Sequence, residues 1–81
     1  MCERDMLGLV FTEILHELKR NNGVLGEREL FEAVRKNLID HYQLEVSEKE
    51  LRKALLALEV RGLVTLTTLK KNMRVIKLNS K

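Results

Sequence analysis

The chain has 81 residues, 44% hydrophobic and 33% charged, with a formal net charge of +3, which fits one globular domain with a thin core and excludes a disordered chain. A lone cysteine, Cys2, rules out an intramolecular disulfide and points to a reducing, intracellular setting. The charged start Glu3-Arg4-Asp5 and the lack of a long apolar run exclude a membrane-spanning segment and argue against a signal peptide.

Asp5 is placed to cap a first helix running to about Arg20. Leu7, Phe11, Ile14 and Leu18 form its apolar stripe, Val10 and Leu15 widen it, and Glu13, His16 and Glu17 fall on the wet side. Asn21-Asn22-Gly23 supplies residues that tolerate the left-handed conformation of a helix stop. Val24-Leu25, between glycines, reads as a very short strand.

A second helix is predicted from about 27 to 41, with Leu30, Val34, Leu38 and Tyr42 recurring every four residues and Phe31 and Ile39 beside them. In this frame Tyr42 is core filler, and Glu27 and Glu29 complement the helix dipole. Residues 43–46 form the connection. Ser47-Glu48-Lys49-Glu50 then fits a capping box, in which the serine hydroxyl and the glutamate carboxylate satisfy each other's backbone N–H groups. Leu51, Ala54, Leu55 and Leu58 are the buried stripe of a third helix, and Gly62 sits where a terminator belongs. Beyond it the apolar period drops from 3.6 to 2. "LVTLTTL" and "RVIKL" read as two strands around a "KKNM" turn, with Asn72 at the position that needs a positive φ.

Charge divides at the cap. Residues 1–46 hold six Lys/Arg against nine Asp/Glu, a balance of −3, whereas residues 47–81 hold nine against three, a balance of +6. Such asymmetry suggests a face that meets an anion.

The run "VSEKELRKALLALEVRGLVTL", with the junction Leu58-Glu59-Val60-Arg61-Gly62-Leu63-Val64, resembles the winged helix-turn-helix superfamily. "GVLGERELFEAV" is similar to the segment that supplies its small first strand and second helix, and the likeness extends from about residue 5 to residue 79. It implies an α+β fold in the order α1-β1-α2-α3-β2-β3, one domain over residues 1–81, with a C-terminal hairpin wing. It further implies double-stranded DNA as partner, the third helix lying in the major groove and the wing on the backbone. The matching role is a small transcription regulator or chromatin-associated factor, cytoplasmic, and nucleoid-associated in a prokaryote. Fold alone does not fix function, which depends on the residues that stand on the helix and the wing.

Turning 100° per residue from Leu51 places Lys49 and Lys53 close to opposite the core and Arg52 about 100° round. Arg52 is the one of the three suited to bidentate pairing with guanine; the lysines suit phosphate. Ser47 and the first-turn N–H groups offer a further phosphate contact. Lys70, Lys71 and Arg74 sit at or beside the hairpin turn, where a wing would meet the backbone. Against this, Lys and Arg solubilise most exposed helices, and Glu48 and Glu59 repel phosphate.

Leu56 and Val60 share the outward side with Lys49 and Lys53. A helix apolar on both sides is usually sandwiched, so both are expected beneath the hairpin or another helix; the alternative is an exposed patch for a protein partner. Met6 and Leu9 lie at or off the edge of the first stripe, candidates for a homodimer contact of the kind the resemblance implies. Cys2, His16 and His41 lack the spacing of a zinc site. No phosphate loop, nucleophile–base set, cofactor motif or small-molecule site is legible, so an enzyme is not expected. Three aromatics, Phe11, Phe31 and Tyr42, are too few for base stacking along a single strand. The remaining alternative is a winged-helix protein–protein module within a transcription, replication or membrane-remodelling assembly.

Overall fold

The computed structural model describes residues 3–71 and 73–79, with side-chain surroundings from residue 8 onward. The elements run α1 (Glu3–Arg20), β1 (Val24–Gly26), α2 (Glu27–Tyr42), α3 (Glu48–Val60), β2 (Val64–Lys70) and β3 (Met73–Leu78). This is the expected order: an α+β arrangement of three helices and a three-stranded antiparallel sheet, consistent with a winged-helix layout. No described helix is long and apolar enough to cross a membrane. Asn72 lies outside the described residues, as do Cys2 and the side chains of Met6 and Leu7.

The helix ends follow local chemistry. α1 stops at Asn22 and Gly23, with φ of 63° and 84°, and the Gly23 N–H donates to the Leu18 carbonyl at 2.6 Å. α3 opens with the full capping box: the Glu50 N–H donates to Ser47 Oγ at 3.2 Å and the Ser47 N–H to Glu50 Oε1 at 3.1 Å. It closes at Gly62, φ 79°, where the Leu63 N–H reaches the Leu58 carbonyl at 3.0 Å. α2 ends in the same way without a glycine. Gln43 takes φ 51°, its N–H reaching Ile39 at 3.0 Å and that of Leu44 reaching Leu38 at 3.1 Å. A side chain in this conformation carries a strain of roughly 1 kcal/mol that glycine avoids. At the start of α1 the expectation needs correction: the helix already includes Glu3, so Asp5 lies inside it and is not its cap.

The core takes Val10, Ile14 and Leu18 from α1, Leu30, Phe31, Val34 and Leu38 from α2, and Leu51, Ala54, Leu55 and Leu58 from α3. Val46 of the connection closes it from one side, and Val64 and Ile76 from the sheet. The strand order is β1-β3-β2, with Leu25 opposite Ile76 and Leu66 opposite Ile76 on the two flanks of β3. The pairing irregularity between Thr68 and Lys70 leaves Leu69 as an extra residue, a β-bulge beside the turn. Lys70 and Met73 pair, so both belong to strands rather than to the turn. Asn79 fastens the end of β3 to the α3 stop. Its N–H donates to Leu63 at 2.9 Å, its amide donates to the Gly62 carbonyl at 2.9 Å, and Thr65 Oγ1 donates to its Oδ1 at 2.7 Å.

Several burial expectations are overturned. Glu13 and Glu17 are 9% and 8% exposed and not on the wet side. Glu17 Oε2 accepts from Asn37 Nδ2 of α2 at 2.9 Å and faces Arg20 at 3.4 Å, while its backbone carbonyl accepts from Asn21 Nδ2 at 2.8 Å. The buried carboxylate is tolerated because it is hydrogen-bonded. Tyr42 is 46% exposed and stacks edge-on with His41 instead of filling the core. Each four-residue step turns the row by about 40°, so from Leu30 to Tyr42 it rotates by about 120° and leaves the buried face. Ile39 is likewise exposed. Phe11 is half-buried, with the Arg61 guanidinium 5.4 Å from its ring centroid, a cation–π contact tying the end of α3 to α1. Leu9 is half-buried against the core rather than lying free.

Replacing Ser47 by alanine is expected to lower the unfolding free energy by about 1 kcal/mol, and Leu51→Ala by about 2–5 kcal/mol. Urea melts followed by circular dichroism measure both; an unchanged midpoint for Ser47→Ala would show that the capping box contributes no stability.

Candidate nucleic-acid interface

β1 lies between α1 and α2 in sequence, and its pairing with β3 brings the start of α2 against the hairpin. Gly26 is both the last residue of β1, opposite Val75, and the residue from which α2 starts. Its N–H donates to Glu29 Oε1 at 3.3 Å, and a Cβ at this position would come within 3.0 Å of the same oxygen. A larger residue here would therefore push the glutamate off the helix start.

A groove of about 680 Å³ opens where the start of α2, the start of α3 and the tip of the hairpin converge. Arg52 lines it from α3 and Lys71 and Arg74 from the hairpin, so members of both predicted basic clusters meet there. Arg28 and Arg35 of α2 also face it. They were not singled out from the sequence, although seven residues apart places them on one helix face. The wall is not uniformly basic: Glu27, Glu29, Glu32 and Glu48 line it too. Glu48 Oε2 lies 3.7 Å from Arg52 Nη2 and Glu27 Oε2 lies 3.5 Å from Arg74 Nη1. The first pair has i,i+4 spacing readable in sequence; the second joins residues 47 apart and has no local signal.

Lys49, Lys53 and Lys70 are exposed outside this groove. Lys49 and Lys53 belong to the outward face of α3, centred opposite the Leu51–Leu58 stripe. Ser47 is exposed, and both its N–H and its hydroxyl are engaged with Glu50, which puts a carboxylate at the helix start. Leu56 and Val60, expected beneath the hairpin or a helix, are 52% and 86% exposed. The expectation fails because α1 and β2 both meet α3 on its buried stripe, and no element crosses the outward face among the described residues. Among those residues no group of three or more His, Cys, Asp or Glu gathers as a metal site.

The face is therefore an open, charged surface: the hairpin is basic, with Lys70, Lys71, Arg74 and Lys77 exposed, while α3 sets Lys49, Arg52 and Lys53 against Glu48, Glu50 and Glu59. No protein-family model matches this chain, and neither the curated proteins nor the solved structures contain a match to it.

The two ion pairs hold exposed arginines at long range, so each contributes little to folding. A double-mutant cycle on Glu27 and Arg74 is expected to give a coupling below about 1 kcal/mol. Thermal melts of the four proteins read this directly, and a larger coupling would make the pair a structural clamp on the hairpin.

Proposed function

We propose that this protein binds double-stranded DNA as a small transcription regulator or chromatin-associated factor of the winged-helix kind, with α3 in the major groove and the hairpin on the backbone. The observation that carries the reading is the convergence of Arg52 with Lys71 and Arg74 on one groove, with Lys49 and Lys53 exposed on the adjoining face of α3. Members of two basic clusters far apart in sequence line one groove beside exposed lysines, a pattern that suits a polyanion even though glutamates share the wall. A cytoplasmic location, on the nucleoid in a prokaryote, accompanies this role.

The ion pairs set its magnitude. If Lys49, Arg52, Lys53, Lys70, Lys71 and Arg74 all met phosphates, log affinity would fall with log salt at a slope of about −5. If Arg52 and Arg74 kept their glutamates, the slope would be about −4. A single arginine reading guanine discriminates by only about 1–3 kcal/mol, so one copy of the chain is a weakly specific binder. A homodimer on two half-sites would supply the remainder. Leu9, packed against the core, offers little to such an interface.

A second reading is favoured by one observation. The exposure of Leu56 and Val60 is that of a protein-contact patch, which suits a winged-helix module inside a larger assembly.

Fluorescence anisotropy with random duplex DNA over a salt series is expected to show binding with a slope of about −4 to −5. Lys53→Glu and Lys71→Glu are each expected to weaken it at least several-fold. Absence of binding at low salt, or affinity indifferent to both reversals, would remove the DNA reading in favour of the protein-contact one.

A further inference from the structure

Lys49, Lys53, Leu56 and Val60 succeed one another at spacings of four, three and four, and at 100° per residue they fall within about 60° of each other. This arc is centred opposite the buried stripe of Leu51, Ala54, Leu55 and Leu58. The most outward line of α3 is thus basic in its first half and apolar in its second. Lys49 and Lys53 carry the charge, while Leu56 and Val60 expose 52% and 86% of their surface. An occupant of that line must present anionic groups beside apolar ones within a short distance.

The major groove of duplex DNA has this chemistry: rows of phosphates flank a floor on which each thymine projects a methyl group. Lys49 and Leu56 are separated by about 10.5 Å along the helix at 1.5 Å per residue, so with α3 lying along the groove both halves of the line meet one short stretch of duplex. Val60 lies one turn further along the same line. Resting on the DNA-binding reading above, we infer that Leu56 is a specificity-determining residue that contacts thymine methyl groups, so that the protein prefers A·T-containing sites through apolar contact rather than hydrogen bonding. Leu56 is at the centre of the contact, Lys49 and Lys53 fix α3 over the phosphates, and Val60 covers the contact from its far side.

The chemical test exchanges thymine for uracil, which removes the methyl and keeps every hydrogen-bonding group. A duplex of mixed A and T order, about two helical turns long, and its counterpart with deoxyuridine at each thymidine are titrated with the full chain by fluorescence anisotropy at low salt. The wild-type protein is expected to bind the thymine duplex about fourfold more tightly per contacted methyl, the transfer value of one buried methyl group. Leu56→Ala, at an exposed position, is expected to keep the fold, which circular dichroism checks, and to bind the two duplexes equally. Equal affinity of the wild type for both duplexes, or a thymine preference that persists in Leu56→Ala, overturns the inference while leaving DNA binding standing. If the wild type binds neither duplex, the DNA reading itself fails and the apolar line is left to a protein partner.

Discussion

Ile76 is fully buried in the middle strand, with Leu25 opposite it on one flank and Leu66 on the other. That row closes the sheet side of the core, and it depends on a β1 of three residues. Because β1 runs straight into α2 through Gly26, pairing it with β3 fixes the start of α2 beside the hairpin. The groove, the Glu27–Arg74 pair and the position of the hairpin relative to α3 all follow. Without the β1 pairing, β2 and β3 would form a two-stranded hairpin, which is marginal on its own in water. Asn79 secures the other end by joining the strand terminus to the α3 stop.

Charge on this frame is distributed over two surfaces with different character. The groove interleaves arginines with glutamates, so its potential is moderated by local pairing. The outward line of α3 holds lysines without a carboxylate in ion-pair range among the described residues, and then turns apolar. For the proposed duplex interface this divides the work. The lysines of α3 and the hairpin supply attraction that depends on salt, and the paired arginines add to it only where a phosphate can displace a glutamate. Apolar contact is insensitive to screening, so any contribution from Leu56 would persist as ionic strength rises.

What could be read from the sequence was whatever has a local cause. The α3 cap, its buried stripe and its glycine stop are each encoded within a few residues, and all three are observed. The α1 stripe was misplaced by about 60° of helix rotation. Hydrophobicity alone puts a glutamate outside, while the partner that permits Glu17 inside, Asn37, lies 20 residues away on another helix. Gln43 was illegible for a related reason: no glycine or asparagine marks it, and its left-handed turn precedes Leu44 and Val46, which pack on the core only in the folded chain. The basic residues were legible as a list and their exposure follows from helix and strand period. Their counter-charges were only half legible, since Glu48–Arg52 is local and Glu27–Arg74 is created by the tertiary fold.

The bulge at Leu69 bears on how copies of the chain behave toward one another. β2 is an edge strand of seven residues, and its unpaired side offers backbone groups that another chain could extend. Long, flat edges of that type template intermolecular sheets. Here an extra residue accentuates the local twist, and Lys70 places a charge just beyond it. A second β2 could not pair continuously past Thr68 without straightening the bulge, and a parallel copy would also bring two lysine-bearing tips together. The irregularity thus confines regular pairing along this edge to residues 64–68.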